Sequence, residues 1–174
     1  IQPDGKGNFI YRIKFLKRSD RFKNLFGLAL DGADSITNLY DYFASKGKNK
    51  RTNYLDYFLR ITKRTPKNPV IFVYDNEIAN NNKPLCKFAN HAKLDKDQKE
   101  MLSNNLFLRL TSEGNLFLLT NPLAEGTKES EIESMFTNET RGIILNGKAL
   151  SLDSKFDQNK YFGKDHFSNY VFKN

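Results

Sequence analysis

The chain of 174 residues is 39% hydrophobic and 13% aromatic, and its formal net charge is +8. This length predicts a single domain with a hydrophobic core, and the lack of any apolar run near the roughly 20 residues of a membrane helix excludes a spanning segment. The positive charge favours a polyanionic partner, although it does not locate the binding surface.

The start of the chain and its cysteine content bear on the compartment. Ile1-Gln2-Pro3 has neither the basic nor the apolar region of a signal peptide. It also lacks a methionine, so we expect a piece of a longer polypeptide. The single cysteine, Cys86, excludes an internal disulfide and fits a reducing cytosol. We therefore predict a cytoplasmic location.

The first part of the chain alternates between strand-like and helix-like patterns. In order, the patterns predict a strand at 9–16, a charged turn at 19–24, a strand at 25–30, and helices at 36–43 and 54–59. Asp34 or Ser35 is placed to cap the first of these helices.

The second part continues the alternation. The predicted elements are a strand at 70–74, a helix at 85–92, a charged connection at 95–100, strands at 106–110 and 116–119, a short helix at 132–136, a turn within 142–152 and a last helix within 161–172. This order favours an α/β sandwich with some antiparallel strands.

Residues 69–77 are the main basis for predicting a metal site. It reads Pro-Val-Ile-Phe-Val-Tyr-Asp-Asn-Glu, and its short apolar run is typical of a strand buried on both faces. Asp75 and Glu77 follow at the carboxyl end, where α/β sheets keep their ligand sites. Two carboxylates held together favour a bound cation, and Mg²⁺ is the usual one. The alternative is that Asp75 caps a turn and Glu77 is solvated.

Other acidic residues are candidates for completing such a site. Glu133, beside Glu131 and downstream of strand 116–119, is the best placed third acid, although glutamates near helix N-termini are common. For Asp31 and Asp34, turn and cap chemistry is the better interpretation, with phosphate binding at the helix N-terminus as the alternative.

The remaining reactive or basic residues carry weaker signals. His91 and His166 lack partners at ligand spacing, and Cys86 lacks a paired histidine motif. Two basic clusters flank the segment that leads into strand 70–74, and each is either a solvated face or a guide for a nucleic-acid backbone. Their candidate contact residues are Lys46, Lys48, Lys50, Arg51, Lys63 and Arg64.

Three segments together resemble a known family. Residues 25–43, 69–77 and 115–136 resemble the Toprim-like extension fused after some retron-type reverse transcriptases, where a strand Pro-x-Ile-x-x-x-Asp-Asn-Asp is followed by Thr-Pro and Ile-Glu-Asp. Here Asp75-Asn76-Glu77 and Ile132-Glu133-Ser134 stand at the matching positions. Glu77 and Ser134 replace aspartates of the family pattern. The Glu-Gly-x-x-Asp motif of the first Toprim strand is not found from Ile1 onward, so either it lies upstream or the site is incomplete.

The resemblance implies a fold and an activity. The fold would be a single Toprim-like (Rossmann-like) α/β domain over residues 1–174, with a sheet sandwiched by helices and without its first strand. The activity would be Mg²⁺-dependent phosphodiester cleavage by Asp75, Glu77 and Glu133, which would be both metal ligands and catalytic residues, as the effector of a bacterial retron antiphage defence system. The partners would be a reverse transcriptase (RNA-directed DNA polymerase) domain in the same polypeptide and its DNA–RNA product.

Two other functions stay open at this level. One is a non-catalytic module that grips a DNA–RNA hybrid through the basic clusters. The other is a phospho-acceptor domain in which Asp75 takes the phosphoryl group, ranked last because no partner Lys or Thr is recognisable. Whether the substrate is DNA or RNA is not determined, and a homo-oligomer stays open.

Overall fold

The computed structural model describes residues 2–3, 5–6, 9–10, 19–28, 33–44, 53–66, 68–111, 115–123, 126–153, 155–164 and 166. The helices are α1 (Asp20–Phe26), α2 (Asp34–Ala44), α3 (Tyr54–Thr62), α4 (Pro84–His91), α5 (Lys96–Asn105), a 3₁₀ helix (Ile132–Met135) and α6 (Asn138–Arg141). The strands are β1 (Gln2–Pro3), β2 (Phe9–Ile10), β3 (Val70–Tyr74), β4 (Phe107–Arg109), β5 (Leu116–Thr120), β6 (Ala149–Leu150) and β7 (Tyr161–Phe162).

The predictions of a turn at 19–24 and a strand at 25–30 were wrong as far as residue 28, because helix α1 occupies most of this segment, and residues 29–30 lie outside the described part. The Ser19 side chain accepts a hydrogen bond from the Phe22 backbone N–H, and Gly27 ends the helix in the left-handed conformation at φ 64°. The rings of Phe22 and Phe26, one helical turn apart, lie 4.5 Å apart. Local capping and this i,i+4 aromatic pair therefore override the turn-like charge pattern.

Helix α5 replaces the charged connection predicted at 95–100. Asp95 accepts from the Gln98 backbone N–H, and the Gln98 side chain accepts from the Asp95 backbone N–H. This reciprocal capping box satisfies two N–H groups that would otherwise lack partners. The charges of the first turn are those of a solvated helix face, while Leu102 is fully buried beneath it.

The three helices that the sequence predicts within the first hundred residues are confirmed. Helix α2 begins at Asp34, α3 begins after the N-cap Asn53, and α4 carries Pro84 in its first turn. Proline is favoured there because its missing N–H needs no partner at a helix start.

Strands β3, β4 and β5 form the sheet that positions the candidate site. Strand β5 lies between the other two, parallel to β3 and antiparallel to β4. The register pairs Val70 with Leu116 and Tyr74 with Thr120. The predicted strands at 70–74, 106–110 and 116–119 and the presence of some antiparallel pairing are therefore confirmed.

The prediction that the strand at 70–74 is buried on both faces was wrong. Phe72 and Tyr74 are buried and contact the ring of Phe88 in α4, whereas Ile71 is 48% and Val73 is 52% exposed. The described helices α2, α4 and α5 share the core with the face that carries Phe72 and Tyr74. A continuous apolar run thus gives an alternating strand, because side chains of opposite parity point to opposite faces.

The smaller pairings differ from the predictions in extent. The predicted strand at 9–16 is described only at β2, which pairs with β1, and the rest of it lies outside the described residues. Asn146 and Gly147 form the predicted turn with positive φ, closed by a bridge between Leu145 and Lys148. The predicted last helix begins instead with β7, which pairs in parallel with β6, and its residues 165 and 167–172 lie outside the described part.

The described residues thus form a mixed α/β arrangement, as the sequence predicts. Within them, no helix combines the length and the apolar character needed to cross a membrane.

The difference between the two faces of β5 is testable with neighbouring leucines. Leu118 is fully buried, whereas Leu119 is 36% exposed. We expect Leu118→Ala to lower the free energy of unfolding by about 2–5 kcal/mol, because it leaves a cavity in the core. The matched change Leu119→Ala should cost about 1 kcal/mol or less. Urea denaturation measures both, and equal losses would contradict the exposed second face.

Candidate functional site

Two parallel strands end side by side and deliver the first two polar groups of the site. Asp75 follows β3 and Asn121 follows β5, directly after the paired residues Tyr74 and Thr120. The Asn121 side-chain N–H donates to Asp75 Oδ1 at 3.0 Å. Because the pairing register places these residues next to each other, the contact is a direct consequence of the sheet topology.

A backbone bridge brings a third segment to the same place. Asn76 and Ser130 exchange backbone hydrogen bonds of 2.8 and 2.9 Å, an isolated antiparallel pair beyond the end of β3. The following residue, Glu131, and the start of the 3₁₀ helix are thereby held beside Asp75. The Ile132 backbone N–H donates to Asp75 Oδ1 at 3.1 Å.

The surroundings of Asp75 oppose its negative charge. Burial raises the pKa of the Asp75 carboxyl, the hydrogen bond from Ile132 lowers it, and the charges of Glu77, Glu133 and Glu131 raise it, so that the net change is upward. A carboxylate accepting two hydrogen bonds would ordinarily have a lowered pKa. The four acidic side chains therefore interact electrostatically, which is the arrangement that a cation stabilises.

Lys164, which follows β7, supplies a cation to this cluster. Its ammonium donates to Glu131 Oε2, and it lies 3.7 Å from Glu133 Oε2. Burial lowers the pKa of Lys164, but the hydrogen bond to Glu131 and the charges of Glu133, Glu131 and Asp75 outweigh it and raise the pKa. Lys164 is therefore held charged by the acids that it neutralises.

Glu77 has a separate lysine partner. Its side chain is only 7% exposed, and Lys83 Nζ lies 2.6 Å from Glu77 Oε1. This hydrogen bond raises the pKa of Lys83. A buried carboxylate without such a partner would be costly. The interpretation of Glu77 as a merely solvated residue is therefore wrong.

The structure brings the three predicted acids, Asp75, Glu77 and Glu133, into one neighbourhood, with Glu131 as a fourth member. Among the described residues, however, no group of three His, Cys, Asp or Glu side chains is arranged to hold a metal ion. Ser134, which stands where the resembled pattern has an aspartate, donates to the Glu131 carbonyl at 2.5 Å and contacts Ser130 Oγ at 2.8 Å. The Ser134 side chain therefore stabilises the backbone turn that begins at Glu131.

The chemistry of the donor set nevertheless fits a hard divalent cation. All four acids offer carboxylate oxygens, which Mg²⁺ prefers. Two further oxygens at the strand ends, Asn76 Oδ1 and Thr120 Oγ1, are buried without a hydrogen-bond partner. Orphaned buried oxygens are uncommon in folded proteins and mark places where polar chemistry is incomplete.

Other sequence-predicted residues lie away from this cluster or outside the described part. Asp31, Lys46, Lys48, Lys50 and Arg51 lie outside the described residues. Asp34 begins α2, and Lys63 and Arg64 are exposed just after α3.

The two histidines and the cysteine keep packing or surface positions. His91 Nε2 lies 2.6 Å from Oδ1 of the buried Asp41, a partner from α2 that spacing did not reveal. His166 is exposed, and Cys86 is buried with Sγ 3.3 Å from Asn81 Oδ1.

Sequence reasoning missed Asn121 and Lys164. Asn121 directly follows an apolar strand, so the strand-end argument that selected Asp75 could have selected it too. Lys164 gave no signal, because it is one of 28 basic residues and meets its partners only in three dimensions.

Comparison with protein-family models, with curated proteins and with solved structures finds no match for this chain. The family resemblance of the sequence therefore stays a prediction.

The raised pKa of Asp75 has a consequence for stability. A carboxyl group whose pKa is higher in the folded than in the unfolded state binds more protons when folded, so stability falls as the pH rises through that range. We expect Asp75→Asn, which keeps an acceptor for Asn121 and Ile132, to be more stable than the wild type at pH 7. The difference should shrink as the pH is lowered toward 4.

Urea denaturation at a series of pH values measures this difference. A variant that is less stable than the wild type at pH 7 would show that the carboxylate charge stabilises the fold.

Proposed function

We propose that the chain is a Mg²⁺-dependent nuclease of Toprim-like fold, the effector part of a retron-type defence protein. The observation that carries the catalytic part is the electrostatic coupling of Asp75 with Glu77, Glu131 and Glu133 at the carboxyl end of a parallel strand pair. The net charge of +8 supports a polyanionic substrate. The retron context and the fused reverse transcriptase rest on the sequence resemblance alone.

The chain's own residues prepare the site for a cation. Asn121 and the Ile132 N–H fix one oxygen of Asp75, which orients the carboxylate at the strand end. The bridge between Asn76 and Ser130 holds the segment of Glu131 and Glu133 against it. These contacts pre-organise oxygen donors from two distant parts of the sequence, as a phosphoryl-transfer site requires.

Asp75, Glu77 and Glu133 are the residues that would hold the ion. When bound, Mg²⁺ supplies charge neutralisation at a phosphate and lowers the pKa of a bound water. Lys164 and Lys83 supply positive charge to these acids in the structure as described. Lys164 is therefore in competition with the ion for Glu133, and on release its ammonium would be available to a phosphate oxygen.

One observation favours the alternative of a non-catalytic nucleic-acid-binding module. Glu77, Glu131 and Glu133 already have lysine partners, so much of the negative charge of the cluster is balanced without any further cation. In that case, binding of nucleic acid should weaken steeply with salt, through surface residues such as Lys63 and Arg64, and should be indifferent to EDTA.

Cleavage assays on the full-length protein test the proposal. We expect Mg²⁺-dependent cleavage of nucleic acid, lost by more than about a hundredfold in Asp75→Asn, because the variant removes a charge from the cation site. Asp97→Asn, an exposed aspartate in the first turn of α5, is the matched control and should keep full activity. Undiminished cleavage by Asp75→Asn would remove Asp75 from the site.

Cation binding is testable apart from activity. Lys164→Met removes the ammonium that competes for Glu131 and Glu133. We expect MgCl₂ to raise the melting temperature of this variant more than that of the wild type, because binding to the folded state stabilises it. Lys160→Met, an exposed lysine nearby in sequence, is the control. Equal shifts in all three proteins would contradict competition at Lys164.

A further inference from the structure

Helix α3 presents an apolar stripe to solvent. Tyr54, Tyr57, Phe58 and Ile61 recur at intervals of three and four residues, which places them on one helix face. Their exposed fractions are 43%, 56%, 43% and 65%, respectively. Stripes of this spacing usually face a core, so an exposed one marks an interaction surface.

The first two residues of the same helix hold it to the domain. Leu55 is partly buried against the main hydrophobic core, and α3 packs beside α2. The Tyr54 ring stacks on Tyr42 of α2, with centroids 5.8 Å apart and planes inclined by 19°. The helix is thus anchored through Leu55 and Tyr54, and Tyr57, Phe58 and Ile61 extend the stripe outward.

The exposed stripe ends in positive charge. Lys63 caps the helix in the left-handed conformation at φ 54° and donates its N–H to the Leu59 carbonyl. The Arg64 backbone N–H donates to Thr62 Oγ1 at 3.2 Å, which fixes the chain as it leaves the helix. Both basic side chains belong to exposed residues. Two exposed cations therefore follow the aromatic stripe directly along the chain.

We propose that this face of α3 binds single-stranded nucleic acid, with Tyr57 and Phe58 stacking on bases and Lys63 and Arg64 contacting phosphates. Aromatic rings stack on unpaired bases of any sequence, and adjacent cations follow the backbone. A duplex hides its bases from such rings, so the surface distinguishes single strands from duplexes. Charge complementarity selects this occupant: the stripe ends in cations, and the chain is strongly basic.

The inference rests on the proposed function in taking nucleic acid as the partner. It adds that the nucleic acid is single-stranded and names the residues that bind it. It does not depend on the acidic cluster, because stacking and phosphate contacts need no metal ion.

The test is fluorescence anisotropy with a labelled oligothymidylate and the whole protein, in EDTA. Tyr57→Leu and Phe58→Leu keep an apolar side chain but remove the ring, and we expect each to weaken binding by about tenfold. Tyr161→Leu is the matched control, because Tyr161 is a 41% exposed tyrosine on β7, and it should bind like the wild type. The double change Lys63→Ala with Arg64→Ala should reduce the salt dependence of binding.

Circular dichroism and melting temperature show whether the leucine variants keep the fold. Wild-type affinity in both leucine variants would overturn the inference, as would equal affinity for a duplex of the same length. Sedimentation of the free protein tests a second copy as the occupant: a dimer dispersed by Ile61→Lys would reassign the stripe to self-association.

Asp75→Asn separates this inference from the proposed nuclease. We expect this variant to bind the oligonucleotide like the wild type while its cleavage is lost. A wild-type protein that binds the oligonucleotide through α3 but cleaves nothing in MgCl₂ would keep the inference and overturn the proposed activity. A protein that cleaves single strands equally well with Tyr57→Leu and Phe58→Leu would do the reverse.

Discussion

The parallel pairing of β3 with β5 is the constraint on which the candidate site depends. Its register sets Tyr74 against Thr120, so the next residue of each strand, Asp75 and Asn121, must meet. The same strand end continues into Asn76, whose exchange of hydrogen bonds with Ser130 brings in Glu131 and Glu133. A slip by one residue would turn Phe72 and Tyr74 out of the core, so the hydrophobic packing that fixes the register also fixes the site.

The balance of charge inside the site follows from this placement. Burial is the largest cause of the raised pKa of Asp75, the charges of Glu77, Glu133 and Glu131 add to it, and the hydrogen bond from Ile132 offsets part of the rise. Lys164 and Lys83 supply the opposite charge from two different segments, which follow β7 and precede α4. A site that binds a metal ion must let such internal cations go. Lys164 therefore distinguishes the nuclease from the non-catalytic module. A bound metal ion would displace its ammonium from the acids, whereas a purely structural cluster would retain it.

The sequence predicted the elements whose signals are local. The apolar run 70–74, the helical spacing of α2 and α3 and the turn at Asn146-Gly147 all appear as expected. The predictions failed where an N-cap residue determines the structure. Ser19 and Asp95 cap helices in segments whose charges are typical of turns. Asp75 and Glu77 were selectable because they end a strand, whereas Lys164 and the partner of His91 depend on contacts between distant segments that no spacing encodes.

The distance along the chain between the paired strands also governs how the site comes into being. Asp75 and Asn121 are 46 residues apart, and Asp75 and Ile132 are 57 residues apart, while helices such as α4 and α5 close through neighbours three or four residues away. Contacts of long sequence separation form late, since their loop-closure entropy must be met before they stabilise anything. The pair Asp75 and Glu77 is thus kept apart from the pair Glu131 and Glu133 until these long-range contacts form. The repulsion between the two pairs therefore acts at this late step of folding, when the packing of the core already stabilises the structure.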